Sequence, residues 1–134
     1  MALLDDLGTY LSGDVGSLTL GTNLFLGRMP DTPDTCVAIY EYGGEVPVAT
    51  MNAGAVPLVE QPRVQVVTRA SGYASARTLA TTIWASMEVL VNYDSLTSGL
   101  RYHRVGALQS PFALERDTAD RILVAQNFRV IKAT

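Results

Sequence analysis

The side chains able to do chemistry are few. The chain has one histidine, His103, and one cysteine, Cys36. Protein zinc sites recruit three or four Cys, His or carboxylate ligands at short spacings, and no such set is present. A Cys36–His103 dyad would give a nucleophile and a base, but nothing in the sequence orients one on the other. His103 sits between Tyr102 and Arg104 in a β-prone run and reads as an ordinary strand histidine. Cys36 opens an apolar run, where a free thiol behaves as a small hydrophobe. Gly43-Gly44 lacks the Lys-Ser/Thr ending of a phosphate loop and opens no helix. Asp117 and Asp120 are near each other, as capping or solvated acids in a turn often are. No catalytic, cofactor or metal residues are therefore assigned.

The arginines carry a different signal. Nine of the ten basic residues are arginine. Its planar fork makes bidentate ion pairs and is enriched at interfaces, although arginine content also follows genome composition. Arg63 and Arg69 fall on the polar side of one β-prone run, with Arg101, Arg104, Arg121 and Arg129 on later ones. Asp117 and Arg121 are spaced i, i+4, which would pair them locally on a helix or offer them to a neighbouring subunit.

These residues need elements to position them. Residues 2–13 predict a short amphipathic helix through Leu3, Leu4, Leu7, Tyr10 and Leu11. Asp5 and Asp6 lie in its first turns, where carboxylates oppose the helix dipole, and Gly13 is a plausible stop. Residues 23–29 and 36–42 read as two strands, joined as an antiparallel pair through Pro30, Asp31, Pro33 and Asp34 and ended by Gly43-Gly44. Residues 44–62 hold three prolines and read as a long, unusually apolar loop. Residues 63–70 alternate as a strand, with Val64, Val66 and Ala70 on one face.

Residues 73–91 predict the main helix through Ala76, Leu79, Ala80, Ile83, Met87, Leu90 and Val91, with Ser71 as its cap. A polar loop at 92–100, a strand at 101–109, a turn at 112–120 and a final strand at 121–132 complete the chain, the last two strands pairing antiparallel. Two helices among about five strands are too few crossovers for a doubly wound parallel sheet. The expectation is one α+β domain spanning 1–134: a mixed, mainly antiparallel sheet of about five strands with two helices packed on one face.

Composition narrows the class. The net charge of −3 lacks the basic footprint of a general nucleic-acid binder. Charged residues make up 17%, against about 25% in an average soluble domain, which suggests that a partner covers part of the surface. No basic region precedes the first apolar residues, so no secretory leader is expected. No apolar stretch reaches the ~18 residues of a membrane span. A single cysteine suits a reducing cytoplasm.

The segment LGTNLFLGRMPDTPDTCVAIYEYGG (20–44), with Pro62-Arg63-Val64-Gln65-Val66, Tyr73, Ala76, Ser110 to Leu114, Asp117 and the strand Arg121 to Lys132, follows one order along nearly the whole chain. In that order it resembles bacteriophage minor capsid proteins related to tail-terminator, or tail-completion, proteins. The resemblance implies a structural, non-enzymatic virion protein assembled in the host cytoplasm, without cofactor or membrane. Its subunits would form a homo-oligomeric, six-fold ring that ends the tail tube and meets head-completion or neck proteins, with DNA passing through the lumen unbound. A head–tail joining or minor capsid role is the neighbouring alternative, and a ligand-binding adaptor or a small enzyme the more distant ones. The contact residues expected are Arg63, Arg69, Asp117 and Arg121, with Val46, Val48, Met51, Val56 and Leu58 of the apolar loop.

Overall fold

A computed structural model describes residues 2–48, 59–95 and 97–134. Its elements run α1 (Ala2–Asp14), β1 (Leu24–Leu26), β2 (Cys36–Val48), β3 (Val59–Ala70), α2 (Tyr73–Glu88), β4 (Val91–Asp94), β5 (Arg101–Ala107), β6 (Phe112–Ala113) and β7 (Ile122–Ala133). The strands form one sheet in the order β1-β2-β3-β7-β5-β4, with β6 also on β7. The hub is β7. It pairs with β3 along one side, and with β5 and β6 along different stretches of the other. Only β1 and β2 are parallel; the remaining pairs are antiparallel.

The α+β class and the antiparallel β5–β7 pair are as expected, but the sheet has seven strands rather than about five. The additional two are short edge pieces. β4 lies where a polar loop was expected, because an exposed edge strand needs no buried alternation, and Asn92 within it takes a φ of 51°. β6 is only two residues long and falls in the expected turn. The expected antiparallel pairing of the first two strands is wrong. Residues 27–35 turn back along the three residues of β1, so β2 starts from the same end. Gly27, at φ 77°, donates its N–H to the Ile39 carbonyl at 2.8 Å and begins that return.

Gly43-Gly44 does not end β2. The register there advances from Glu41↔Val64 to Gly44↔Pro62, three steps on β2 against two on β3, which is a β-bulge. Gly43 supplies the left-handed φ of 52°. A Cβ on Gly44 would stand 2.8 Å from the Gln61 carbonyl oxygen. Both ends of the expected loop at 44–62 are strand instead, β2 continuing to Val48 and β3 starting at Val59. α2 stops at Glu88, so Val91 leaves the helical stripe for β4 and is exposed. Its N-cap is Gly72, without a side-chain cap bond, in place of Ser71.

Both helices cover one face of the sheet. Leu3, Leu4, Leu7 and Leu11 of α1 and Ile83 and Met87 of α2 meet Val37, Ile39, Val64, Val66, Val105, Phe128 and Val130 from four strands. A smaller cluster joins Ala76 and Ala80 of α2 to Ala70, Ile122 and Val124, the alanines allowing close approach to the sheet. Asp6 turns inward rather than toward the dipole. Its buried carboxylate accepts hydrogen bonds from Ser95 Oγ at 2.6 Å, Ser98 Oγ at 2.7 Å and Tyr102 Oη at 2.7 Å. Such a group is tolerated inside only when satisfied in this way. Burial, with Asp6 adding to it, pushes the Tyr102 phenol well above its usual range. This network ties α1 to Ser95, Ser98 and Tyr102.

Candidate functional site

Among the described residues no helix lies over the opposite face of the sheet. By strand alternation this face carries Cys36, Ala38 and Tyr40 of β2, Arg63, Gln65, Val67 and Arg69 of β3, and Leu123, Ala125, Asn127 and Arg129 of β7. Of these, Cys36, Ala38, Val67, Arg69 and Ala125 are nevertheless buried and the others only partly exposed. Gln65 Nε2 donates to Asn127 Oδ1 across this face at 3.1 Å. Three features stand on it or at its ends: a clamped loop, a row of arginines and a projecting hairpin.

The clamped loop is the Pro-Asp segment after β1. Arg69, at the end of β3, reaches over with its guanidinium. Its Nη2 donates to the Pro30 and Pro33 carbonyls, both at 2.7 Å, and its Nε to the Asp34 carbonyl at 3.1 Å. Arg121, beside the start of β7, donates from Nη2 to Asp31 Oδ1 at 2.9 Å. Its Nη1 bonds the Asp31 carbonyl at 2.6 Å and Asp34 Oδ1 at 3.2 Å, and its Nε bonds Asp117 Oδ2 at 2.8 Å. Asp117 also accepts the backbone N–H of Arg121 and of Ala119. The i, i+4 pair therefore exists, but in a turn rather than a helix.

The Arg121 side chain is only 8% exposed, while those of Asp31 and Asp34 are 90% and 75% exposed. The cation is inside and the acids point outward. The backbone N–H of Arg121, helped by its guanidinium, holds the Asp117 carboxyl below its usual range. Burial opposes the charge on Arg121, and its bonds to Asp31, Asp117 and Asp34 outweigh that. Arg69, Asp117 and Arg121 are thus brought together at one end of the sheet, where most of their bonds go to the chain's own loop.

The arginine row crosses the open face nearer the other end. Arg63 of β3 lies directly opposite Arg129 of β7, and Arg129 lies opposite Gly106 of β5. The Arg104 side chain folds over Gly106, whose missing Cβ leaves it room. Like charges directly opposed on a sheet repel. Arg63 is offset by Glu45 Oε1 at 3.0 Å, and Arg104 only weakly by Glu88 at 3.7 Å. Arg129 donates to a neutral amide, Gln61 Oε1, at 3.0 Å. The Nε atoms of both Arg63 and Arg129 are buried and find no partner among the described residues. Beside them a shallow hollow of about 300 Å3 is lined by Arg104, Gly106, Ala107, Leu108, Arg129 and Ile131.

The third feature is the outer half of the β2–β3 hairpin. Residues 41–47 are all exposed, and Val46 stands 82% exposed. A second register shift between Glu45 and Val48 twists this arm further. Polar bonds hold its base: Gln61 Nε2 donates to the Val46 carbonyl at 3.0 Å, while Gln61 Oε1 takes the bond from Arg129. Of Val48 the backbone pairing with Val59 is described; Met51, Val56 and Leu58 lie outside the described residues.

The candidate dyad does not form. Cys36 is on β2 and His103 on β5, with β3 and β7 between them. Three strand spacings across the sheet and about eight residues along it separate them by roughly 30 Å. Burial raises the Cys36 thiol pKa, against the opposing pull of Arg69 and Arg121, and so disfavours a thiolate. Among the described residues no group of His, Cys, Asp and Glu could hold a metal ion, and no helix is long and apolar enough to cross a membrane.

The arrangement offers surfaces and fixed charges for another macromolecule. Asp31 and Asp34 escaped the sequence reading as site residues, though two Pro-Asp steps beside an arginine-rich chain were their signal. Arg104 and Arg129 stood among the noted arginines, but only register brings them together.

The sequence pattern of the bacteriophage tail terminator protein family matches residues 9–134. A solved chain from the virion of a native gene transfer agent particle is similar over 98% of this chain and 95% of its own length, at 22% identity and TM-score 0.60. A second solved structure covers 94% of this chain and 91% of its own, at 16% identity and TM-score 0.53. At those identities the likeness is one of fold. No curated protein matches.

Proposed function

We propose, from the premise that this chain belongs to the bacteriophage tail terminator family, that it is a ring subunit which ends the tail tube and presents a docking surface to head-completion or neck proteins. The family is one of structural virion proteins of the tail and neck, not of enzymes. What supports the ring is the combination of a sheet face that carries a row of arginines and, among the described residues, no helix, with a hairpin arm that leaves its own core. Val46 on the arm stands 82% exposed, and a strand pair extended into solvent is a template for a second chain. Repeating one such head-to-tail contact closes a ring when the rotation fits.

Val46 and Val48 of the arm, Met51, Val56 and Leu58 of the segment that follows in sequence, and Arg63 at the arm's base are the proposed contacts. Arg69, Asp117 and Arg121 contribute by fixing the shape of the Pro-Asp loop. Six-fold symmetry and passage of DNA through the lumen are part of the same reading. A terminator works by complementarity: its lower face matches tube protein and its upper face does not, so growth stops.

The test is size and shape. Purified protein, alone and mixed with tube subunits, is examined by light scattering after size exclusion and by negative-stain electron microscopy. Rings that cap tubes at a defined length support the reading. A monomer under both conditions overturns it. Rings that bind a head component but not tubes would transfer the protein to a head–tail joining role.

A further inference from the structure

We infer that the Arg104–Arg129 hollow receives the carboxylates of the Pro-Asp loop, Asp31 and Asp34, from a neighbouring copy of this chain; the inference rests on the ring reading above. The hollow has the chemistry for a carboxylate. Two guanidiniums line it, and a third, Arg63, lies beside Arg129 in register. Among the described residues three cations meet two acids there, Glu45 and Glu88, one of them at the long distance of 3.7 Å. Two buried Nε donors in the row, those of Arg63 and Arg129, find no partner among the described residues. Leu108 and Ile131 give the hollow an apolar shoulder, which raises the strength of an ion pair by excluding water.

The complementary surface is on the same molecule and cannot reach the hollow from there. Asp31 and Asp34 are held by Arg121 at the start of β7, and Arg129 is eight residues further along that strand. At the rise of a β-strand the separation is roughly 26 Å. Two unlike, complementary patches at opposite ends of one sheet define a head-to-tail contact, the kind that builds rings rather than two-fold pairs. The loop arrives pre-shaped, because Arg69 and Arg121 hold its backbone through four carbonyl contacts in all. Little entropy is then lost on docking. Duplex DNA is the poorer occupant. It demands a broad basic surface touching several phosphates, and this is a small recess on a chain of net charge −3.

The experiment uses two charge reversals, Arg104→Glu and Asp34→Lys, in the full chain. Neither side chain is buried, and thermal melts check that both variants fold. Sedimentation velocity is run on wild type, on each variant and on their equimolar mixture. The inference predicts that each variant alone sediments as monomer and that the mixture recovers the wild-type assembly, since swapped charges pair across alternate contacts. Should either variant melt early, R104Q and D34N are run in its place, and each must weaken assembly at least tenfold in concentration. Variants that assemble like wild type overturn the contact and leave the ring standing. Two monomeric variants whose mixture stays monomeric overturn the pairing of these patches. Wild type that never assembles removes the ring and the contact together. An R104E protein that assembles normally but no longer retards duplex DNA in a gel gives the hollow to DNA and overturns the inference.

Discussion

The two ends of the β2–β3 hairpin are built in opposite ways. At the inner end, Cys36–Ile39, Val64 and Val66–Ala70 are buried, α2 and α1 cover one side, and two arginines lock the adjoining loop. At the outer end, the same two strands run on through a glycine bulge with residues 41–47 exposed. The inner end stabilises the protein. The outer end spends ordered chain on surface, with only polar bonds at its base to hold it. Chain ordering costs roughly 1–2 kcal/mol per residue, so an arm without a core is best explained by what it touches in the assembly.

This contrast can be broken from either side. Ile39→Ala, at the inner end, leaves a cavity in the main core and should cost about 2–5 kcal/mol, read as a large fall in Tm or in the denaturant midpoint. Arg121→Ala removes the cation that three aspartates share; a smaller fall in Tm is expected, together with faster amide exchange across residues 27–35. At the bulge, Gly44→Ala pushes a Cβ to 2.8 Å from the Gln61 carbonyl. It should cost about 1 kcal/mol and disturb the arm while leaving the helices intact by circular dichroism.

Acid acts on the inner end through Asp117. The Asp117 carboxyl sits below its usual range when folded, so its contribution to stability is present above the unfolded value near 4 and is lost as pH falls through the folded one. Protons should therefore loosen the loop clamp only as pH falls through that lowered value, as read by amide signals of 27–35 in an NMR titration. The smallest effect on stability is expected at the tip side: Val46→Ser should change it by no more than about 0.5 kcal/mol. The same substitution should weaken assembly, read by sedimentation at falling concentration.

The residues explain how much of this was legible in advance. Leu3, Leu4, Leu7 and Leu11, or Ile83 and Met87, declare their helices because one apolar face repeats at helical spacing. The alternation in Val64, Val66, Phe128 and Val130 does the same for the central strands. β4 and β6 stayed hidden because an exposed edge needs no such pattern. Gly43-Gly44 looks like a stop, and only pairing with Pro62 reveals it as a bulge.

The site was half legible. Arg69, Asp117 and Arg121 stood out as residue types, yet their target, the Pro-Asp loop, is set by tertiary contact. A hairpin signal also misled the first pairing, because turn chemistry does not tell a reversal from a doubling back. The arginine row depends on register across three strands, which local spacing cannot encode.

The most direct test of the arm's role is hydrogen–deuterium exchange on the free subunit and on the assembled protein. If neighbouring copies cover the arm, amides of 41–47 and 59–63 slow sharply on assembly, while those of 36–40 and 64–70, already protected, change little. Arm amides that exchange equally fast in the free and the assembled protein contradict the account.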